Sequence, residues 1–166
     1  MAPILGMDVQ TDRYWMMQAI NLSRRCPPSQ EAYSVGVIIV GADGCKISQG
    51  FSRESAPHIH AEEAALAKLK PDDPRLHTAT VYSTLEPCSQ RRSARTTCTQ
   101  LLIASGVRRV VIAWREPNLF ADCRGVELLT EAGVEVVEYR DLADEVRRVN
   151  AHLAGINARN GQEGDI

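Results

Sequence analysis

The sequence predicts an α/β fold in which a five-stranded mixed sheet is flanked by helices on both sides. Two observations carry this. Strand-like runs rich in β-branched residues alternate with helix-patterned runs along the second half of the chain. Ahead of them stand two strand-like runs separated only by a turn, which adds an antiparallel hairpin to a sheet otherwise built by crossovers. TDRYWMMQAINLSRR reads as a first helix, with Thr11 as N-cap and Pro27-Pro28 as its stop. SVGVIIV and KISQGF read as strands joined by a turn at Asp43-Gly44. HAEEAALAKLK is a helix of strong helix formers, ended by Pro71. TATVYSTL is a strand that delivers the chain to Glu86-Pro87-Cys88. CTQLLIASG is a helix closing at Gly106, and VRRVVIAW the strand after it. RGVELLTEAG is a helix closing at Gly133, followed by the strand VEVVEY. Leu142, Val146, Val149, Leu153 and Ile156 recur at steps of four and three, the buried stripe of a last amphipathic helix.

With 166 residues, 44% of them hydrophobic and 24% charged, the chain is of single-domain size and globular composition. Residues 1–156 read as one domain and 157–166, NARNGQEGDI, as a polar tail. A net charge of −2 gives no global electrostatic reason to bind nucleic acid. No apolar run approaches a membrane span, and the start MAPILGMDVQ lacks the pattern of a signal peptide, so the cytoplasm is the expected compartment. In such a compartment the five cysteines are free or bind metal. Cys26, Cys45 and Cys123 are read as small buried or surface residues.

His60 and Glu62, within HIHAEE, sit at a helix start, Cys88 at a strand end, and Cys98 at the start of another helix. A thiolate at Cys98 gains from the free amide donors and positive dipole end of its helix. One imidazole and two thiolates with an open fourth position are the ligand set of catalytic zinc. H-x-E followed by P-C and a second cysteine is the pattern of the zinc deaminases, in which the glutamate is not a ligand. The departure is a gap of nine residues between the cysteines. Zinc lowers the pKa of bound water from about 16 towards neutrality. A carboxylate beside that water can move its proton to a ring nitrogen and then to departing ammonia. Glu62 fits this role, whereas Glu63 points elsewhere round the helix, into solvent. The rival reading is a closed structural zinc, whose fourth ligand would come from His58, His77, Cys45 or Cys123.

The stretches TLEPCSQRRSARTTC, LIASGVRRVVIAWREPN and RGVELLTEAGVEV resemble the deaminase domain of the bifunctional riboflavin-biosynthesis deaminase/reductase, from about Asp12 to Leu153. The resemblance implies the cytidine-deaminase-like three-layer sandwich. It also implies one zinc per chain on His60, Cys88 and Cys98, with Glu62 as proton shuttle. The implied reaction is hydrolytic removal of an amine from a diaminopyrimidinone ribosylamino phosphate. By the same resemblance the chain is at least a homodimer, and the reductase activity comes from a separate protein.

The departures from the family pattern fall on the substrate side. Ala32 stands where the family has a substrate-binding Asn, Ala64 replaces a second His, and the loop SQRRSARTT is one residue longer than usual. Glu116-Pro117-Asn118 replaces D-P-N. The zinc machinery is therefore expected intact and the substrate wall altered, as in an enzyme of a specialised pathway. Guanidinium groups beside the metal suit a phosphate. Arg95, followed by Thr96, matches the family's basic position. For Arg91 and Arg92 a solvated loop is an equal reading. Asn118, Trp114 and Phe120 follow the next strand; Trp114 and Phe120 are expected in the core. Two other functions stand beside the leading one: a cytidine, deoxycytidylate or free-base deaminase, and a non-catalytic zinc-binding scaffold.

Overall fold

The structure, a computed structural model, describes residues 5–92, 94–117, 122–153 and 156, with side chains from residue 11 onward. Its elements in order are α1 (Leu5–Ser23), β1 (Gly36–Val40), β2 (Lys46–Phe51), α2 (Ala61–Ala67), β3 (Thr80–Leu85), α3 (Cys98–Ala104), β4 (Arg109–Trp114), α4 (Gly125–Glu131), β5 (Glu135–Glu138) and α5 (Ala143–Val149). The five strands form one sheet in the order β2-β1-β3-β4-β5. β1 runs antiparallel to β2 and β3, while β3, β4 and β5 are parallel. Helices α1 and α5 pack on one face, and α2, α3 and α4 on the other. This is the three-layer α/β sandwich expected from the order of elements.

The buried strand residues explain the runs read from the sequence. All five β1 residues are buried, as are the last five of both β3 and β4, so these central strands are covered on both faces. The hairpin turns where expected: Gly44 adopts φ +80 and its N–H donates to Gly41 O. The last helix is shorter than its stripe. α5 ends at Val149, yet Leu142, Val146, Leu153 and Ile156 are all buried, the last two in turns beyond it.

Two expectations are corrected. Thr11 is not an N-cap, because α1 begins six residues earlier and Thr11 lies inside it; Met7, Asp8, Val9 and Gln10 contain no breaker to stop helical hydrogen bonding upstream. Nor does α2 run to Pro71. It ends at Ala67, where Lys68 leaves the helix face to donate from Nζ to Gln49 O and pair with Glu54.

The topology gathers loops on one edge. Because β1 is antiparallel to β3, its entry lies beside the exit of β3, with Val37 opposite Ser83. Leu85 and Trp114 are paired at the ends of β3 and β4, and the Glu86 N–H donates to Trp114 O at 2.8 Å. The segments before β1, after β3 and after β4 thus meet outside one end of the sheet, where open α/β sheets bind their ligands.

Candidate metal centre and active site

α2 reaches this edge because Gly50 allows it to lie on β2. A Cβ at residue 50 would fall 2.5 Å from both Ala61 O and Ala65 N, inside the helix backbone. His60 is the N-cap of α2, with an extended backbone (φ −86, ψ 160), and its N–H donates to Glu63 Oε1 at 3.0 Å. Glu63 is therefore no solvated acid. It caps the helix and forms an ion pair with Arg91. Cys98 is the first residue of α3, whose N-cap Thr97 accepts from the Gln100 N–H while Gln100 reaches back to the Thr97 N–H. Cys88 stands three residues past the end of β3.

The three ligand atoms converge. Those of His60, Cys88 and Cys98 all lie within 4.8 Å of one another. His60 Nδ1 is 3.3 Å from Cys98 Sγ and 3.6 Å from Cys88 Sγ. The Cys98 N–H points at Cys88 Sγ at 3.3 Å, a backbone donor at a helix start that favours a thiolate there. Contact with Cys98 draws the Cys88 thiol well below its ordinary pKa, while the same contact and burial raise Cys98. Burial alone would depress His60, but Cys88 and Glu62 outweigh it and favour positive charge among these groups. Two sulfurs and one imidazole nitrogen, with the Glu62 carboxylate beside them, fit a zinc ion.

Glu62 stands beside this cluster and outside it. Its residue is 4% exposed, and the Ser83 hydroxyl lies 3.3 Å from its Oε1. Burial and the Cys88 charge push its pKa up. A carboxylate in such a place is able to hold a proton and release it. Of the candidates for a fourth ligand, none joins the cluster among the described residues. Cys45 is exposed in the hairpin turn, Cys123 Sγ contacts Pro87 O, His77 lies against Gly106, and His58 offers its carbonyl to Arg91.

The loop between the cysteines divides in two. The Arg91 side chain is 4% exposed, pairs with Glu63 and donates to His58 O at 2.7 Å, tying the loop to the start of α2. Arg92, Arg95 and Thr96 are exposed. Ala32 is partly buried next to Tyr33, whose hydroxyl donates to Pro117 O at 3.3 Å and whose ring meets Trp114 edge-on at 6.0 Å. Trp114 is buried, as expected of a core residue. Asn118 and Phe120 lie outside the described residues.

Two residues with no motif of their own organise this edge. Arg53, at φ 61, donates from its guanidinium to Pro27 O, Tyr33 O and Ser34 Oγ, while its N–H reaches Ile59 O. It thereby joins the segment carrying Ala32 to the one leading into His60. Glu86, 3% exposed, accepts from two backbone amides. A charged residue closing a run of strand formers hints at Glu86; nothing local hints at Arg53.

A five-stranded mixed sheet that brings one histidine, two cysteines and a buried unligated glutamate to one edge defines a zinc-dependent deaminase centre. The chain belongs to the family of the cytidine and deoxycytidylate deaminase zinc-binding region, whose model matches residues 9–114, a span that holds all four of these residues. It is 40% identical over 136 residues to the diaminohydroxyphosphoribosylamino-pyrimidine deaminase of Schizosaccharomyces pombe, covering 81% of this chain and 33% of that protein. It is 38% identical over 130 residues to the riboflavin biosynthesis protein RibD of Escherichia coli, covering 75% of this chain and 33% of that one. Among solved structures, form 2 of Acinetobacter baumannii RibD superimposes with a TM-score of 0.76 at 32% identity, over 87% of this chain and 39% of that one. The chain thus spans about a third of the length of the curated relatives it matches. Among the described residues, no helix is long and apolar enough to cross a membrane.

Proposed function

We propose that the chain is a hydrolytic deaminase of a small aminopyrimidine that carries a phosphate, of the type named by its S. pombe relative, with an altered substrate wall. The observation that carries this is the buried Glu62 carboxylate standing beside the His60, Cys88 and Cys98 cluster without belonging to it. In this reading residues 1–156 form one catalytic domain, and His60, Cys88 and Cys98 hold one zinc ion. Zinc bound there would supply a water activated for attack at neutral pH. Glu62 takes one proton from the attacking water and delivers it to the ring nitrogen next to the amine-bearing carbon. It then takes the second, from the hydroxyl that water has become, and gives it to the departing amine, which leaves as ammonia while a carbonyl remains. Ser83, in contact with Oε1, orients the carboxylate.

Arg95 and Thr96 provide the phosphate subsite in this reading, with Arg92 beside them. Their exposure on the loop between two metal ligands supports it. Arg91 is held in the protein by Glu63 and His58 and contributes by fixing the loop. Ala32 and Asn118 are assigned to substrate binding in this reading, and a second copy of the chain assembles with the first. Light scattering at several concentrations should give at least the mass of a dimer.

Ammonia release measured on the riboflavin-type diaminopyrimidine ribosylamino phosphate, with cytidine, deoxycytidylate and guanine as competitors, tests the substrate class. Faster turnover of deoxycytidylate would overturn the pyrimidine proposed. Arg95→Ala should raise KM at least about tenfold for the phosphorylated substrate and much less for its dephosphorylated form. Equal effects on both would remove the phosphate subsite.

A further inference from the structure

The carboxylate of Glu86 holds two points of the chain that are far apart in sequence. Its Oε1 accepts from the Glu116 N–H at 3.1 Å and its Oε2 from the Val126 N–H at 2.9 Å. The first donor lies just past the end of β4 and the second in the first turn of α4. One side chain thus anchors both the departure of the chain from the sheet and its return. The packing around it leaves no slack. A Cβ at Gly125 would fall 2.2 Å from Pro87 O and 3.1 Å from Glu86 Cγ. Ser89 Oγ accepts from the Arg124 N–H at 2.8 Å, and Cys123 Sγ lies 3.3 Å from Pro87 O.

The anchored segment reaches the region ascribed to substrate. Pro117, next to Glu116, accepts from the Tyr33 hydroxyl, and Tyr33 adjoins Ala32. Glu86 itself is covalently two residues from the ligand Cys88. We infer that Glu86 is a positioning residue that registers the wall formed by Glu116-Pro117 and the start of α4 to the metal centre. The inference concerns the site proposed above and rests on that reading only for its kinetic consequence. A carboxylate suits the task because it presents two acceptors and no donor. Glutamine, of the same shape, turns one acceptor into an NH2 group facing a backbone N–H.

The Glu86→Gln variant, at full length and loaded with zinc, should keep the wild-type zinc content by elemental analysis. Hydrogen exchange followed by mass spectrometry should quicken at least about tenfold at the amides of Glu116 and Val126 and stay unchanged at those of β1. KM for the diaminopyrimidine phosphate should rise about tenfold or more, with kcat falling less than KM rises. Unchanged exchange at both amides overturns the inference. So does faster exchange with unchanged KM, which would make the two bonds structural only. A wild-type protein that releases no ammonia from any of the pyrimidines sinks the proposed reaction instead, and the exchange result then decides the anchor alone. Should Glu86→Gln fail to fold, Glu86→Asp keeps both acceptor oxygens but draws them back by one methylene from the two amides, and the same readings apply.

Discussion

The metal cluster and the loop between its two cysteines share a stretch of chain but are built on opposite terms. Each ligand of the cluster stands at or near an element boundary: His60 as the cap of α2, Cys88 just past β3, Cys98 as the first residue of α3. Backbone hydrogen bonds fix these points, so three ligand atoms meet within 4.8 Å. In the loop Ser89 accepts from the Arg124 N–H and Arg91 pairs with Glu63, and beyond them Arg92, Arg95 and Thr96 are exposed. Positions pinned by capping and packing keep the geometry that metal chemistry demands to a fraction of an ångström. Positions that face solvent are free to differ in length and composition at little cost in stability.

The hardest blow to the pinned region is loss of a ligand. Cys98→Ser should lower zinc affinity by more than about 100-fold, since changes outside the ligand set alone cost about 10- to 100-fold; elemental analysis after dialysis against a chelator would show it. Retention of stoichiometric zinc would mean that the three atoms are not the ligand set. Next in size, Glu62→Gln should keep its zinc and lose turnover by about 10²- to 10⁴-fold, the usual share of general acid–base catalysis. An active variant would assign the proton transfer elsewhere.

Arg91→Ala sharpens the comparison within the loop. Loss of its buried ion pair and its bond to His58 O should destabilise the fold by about 2 kcal/mol in urea unfolding, whereas Arg95→Ala should stay within about 0.5 kcal/mol of wild type. Equal losses would erase the division between anchored and free parts of the loop.

The smallest effect concerns Glu116, whose pKa is pushed up to about 7, chiefly by burial. Between the ordinary carboxyl value of 4.5 and about 7 the folded state binds a proton that the unfolded state has released, so this group makes stability fall as pH rises through that window. Glu116→Gln should therefore stabilise the protein above pH 7, on the order of 1 kcal/mol, and change little near pH 4. Urea unfolding at the two pH values checks the sign. A stabilisation confined to acid pH would contradict it.

Much of this molecule was legible in the order of its residues. Local rules suffice for the strand runs, the glycines that close α3 and α4, and the turn at Asp43-Gly44, because each depends on neighbours within a few positions. The residues of the candidate metal cluster were legible for a related reason: histidine, cysteine and a second cysteine at element ends are rare unless something divalent is to be held. Boundaries were less legible. The true start of α1 lies upstream of Thr11, and α2 and α5 stop early, because helix ends are set by the packing partners each helix finds. For Glu63 the cap on the His60 N–H, three positions away, was legible and overlooked, whereas its pair with Arg91 depends on a residue 28 positions away.

The sequence by itself determined the fold class and singled out the three residues that cluster as a candidate metal site and the acid beside them, since periodicity, turn chemistry and donor type are properties of short stretches. Only the tertiary structure decided that Arg91 faces the protein, that Arg53 ties two segments around the site, and that Glu86 grips the chain at Glu116 and Val126. Each of these bonds joins residues distant along the chain. Such partners are chosen by which loops the strand order brings to one edge, and no local stretch encodes that meeting.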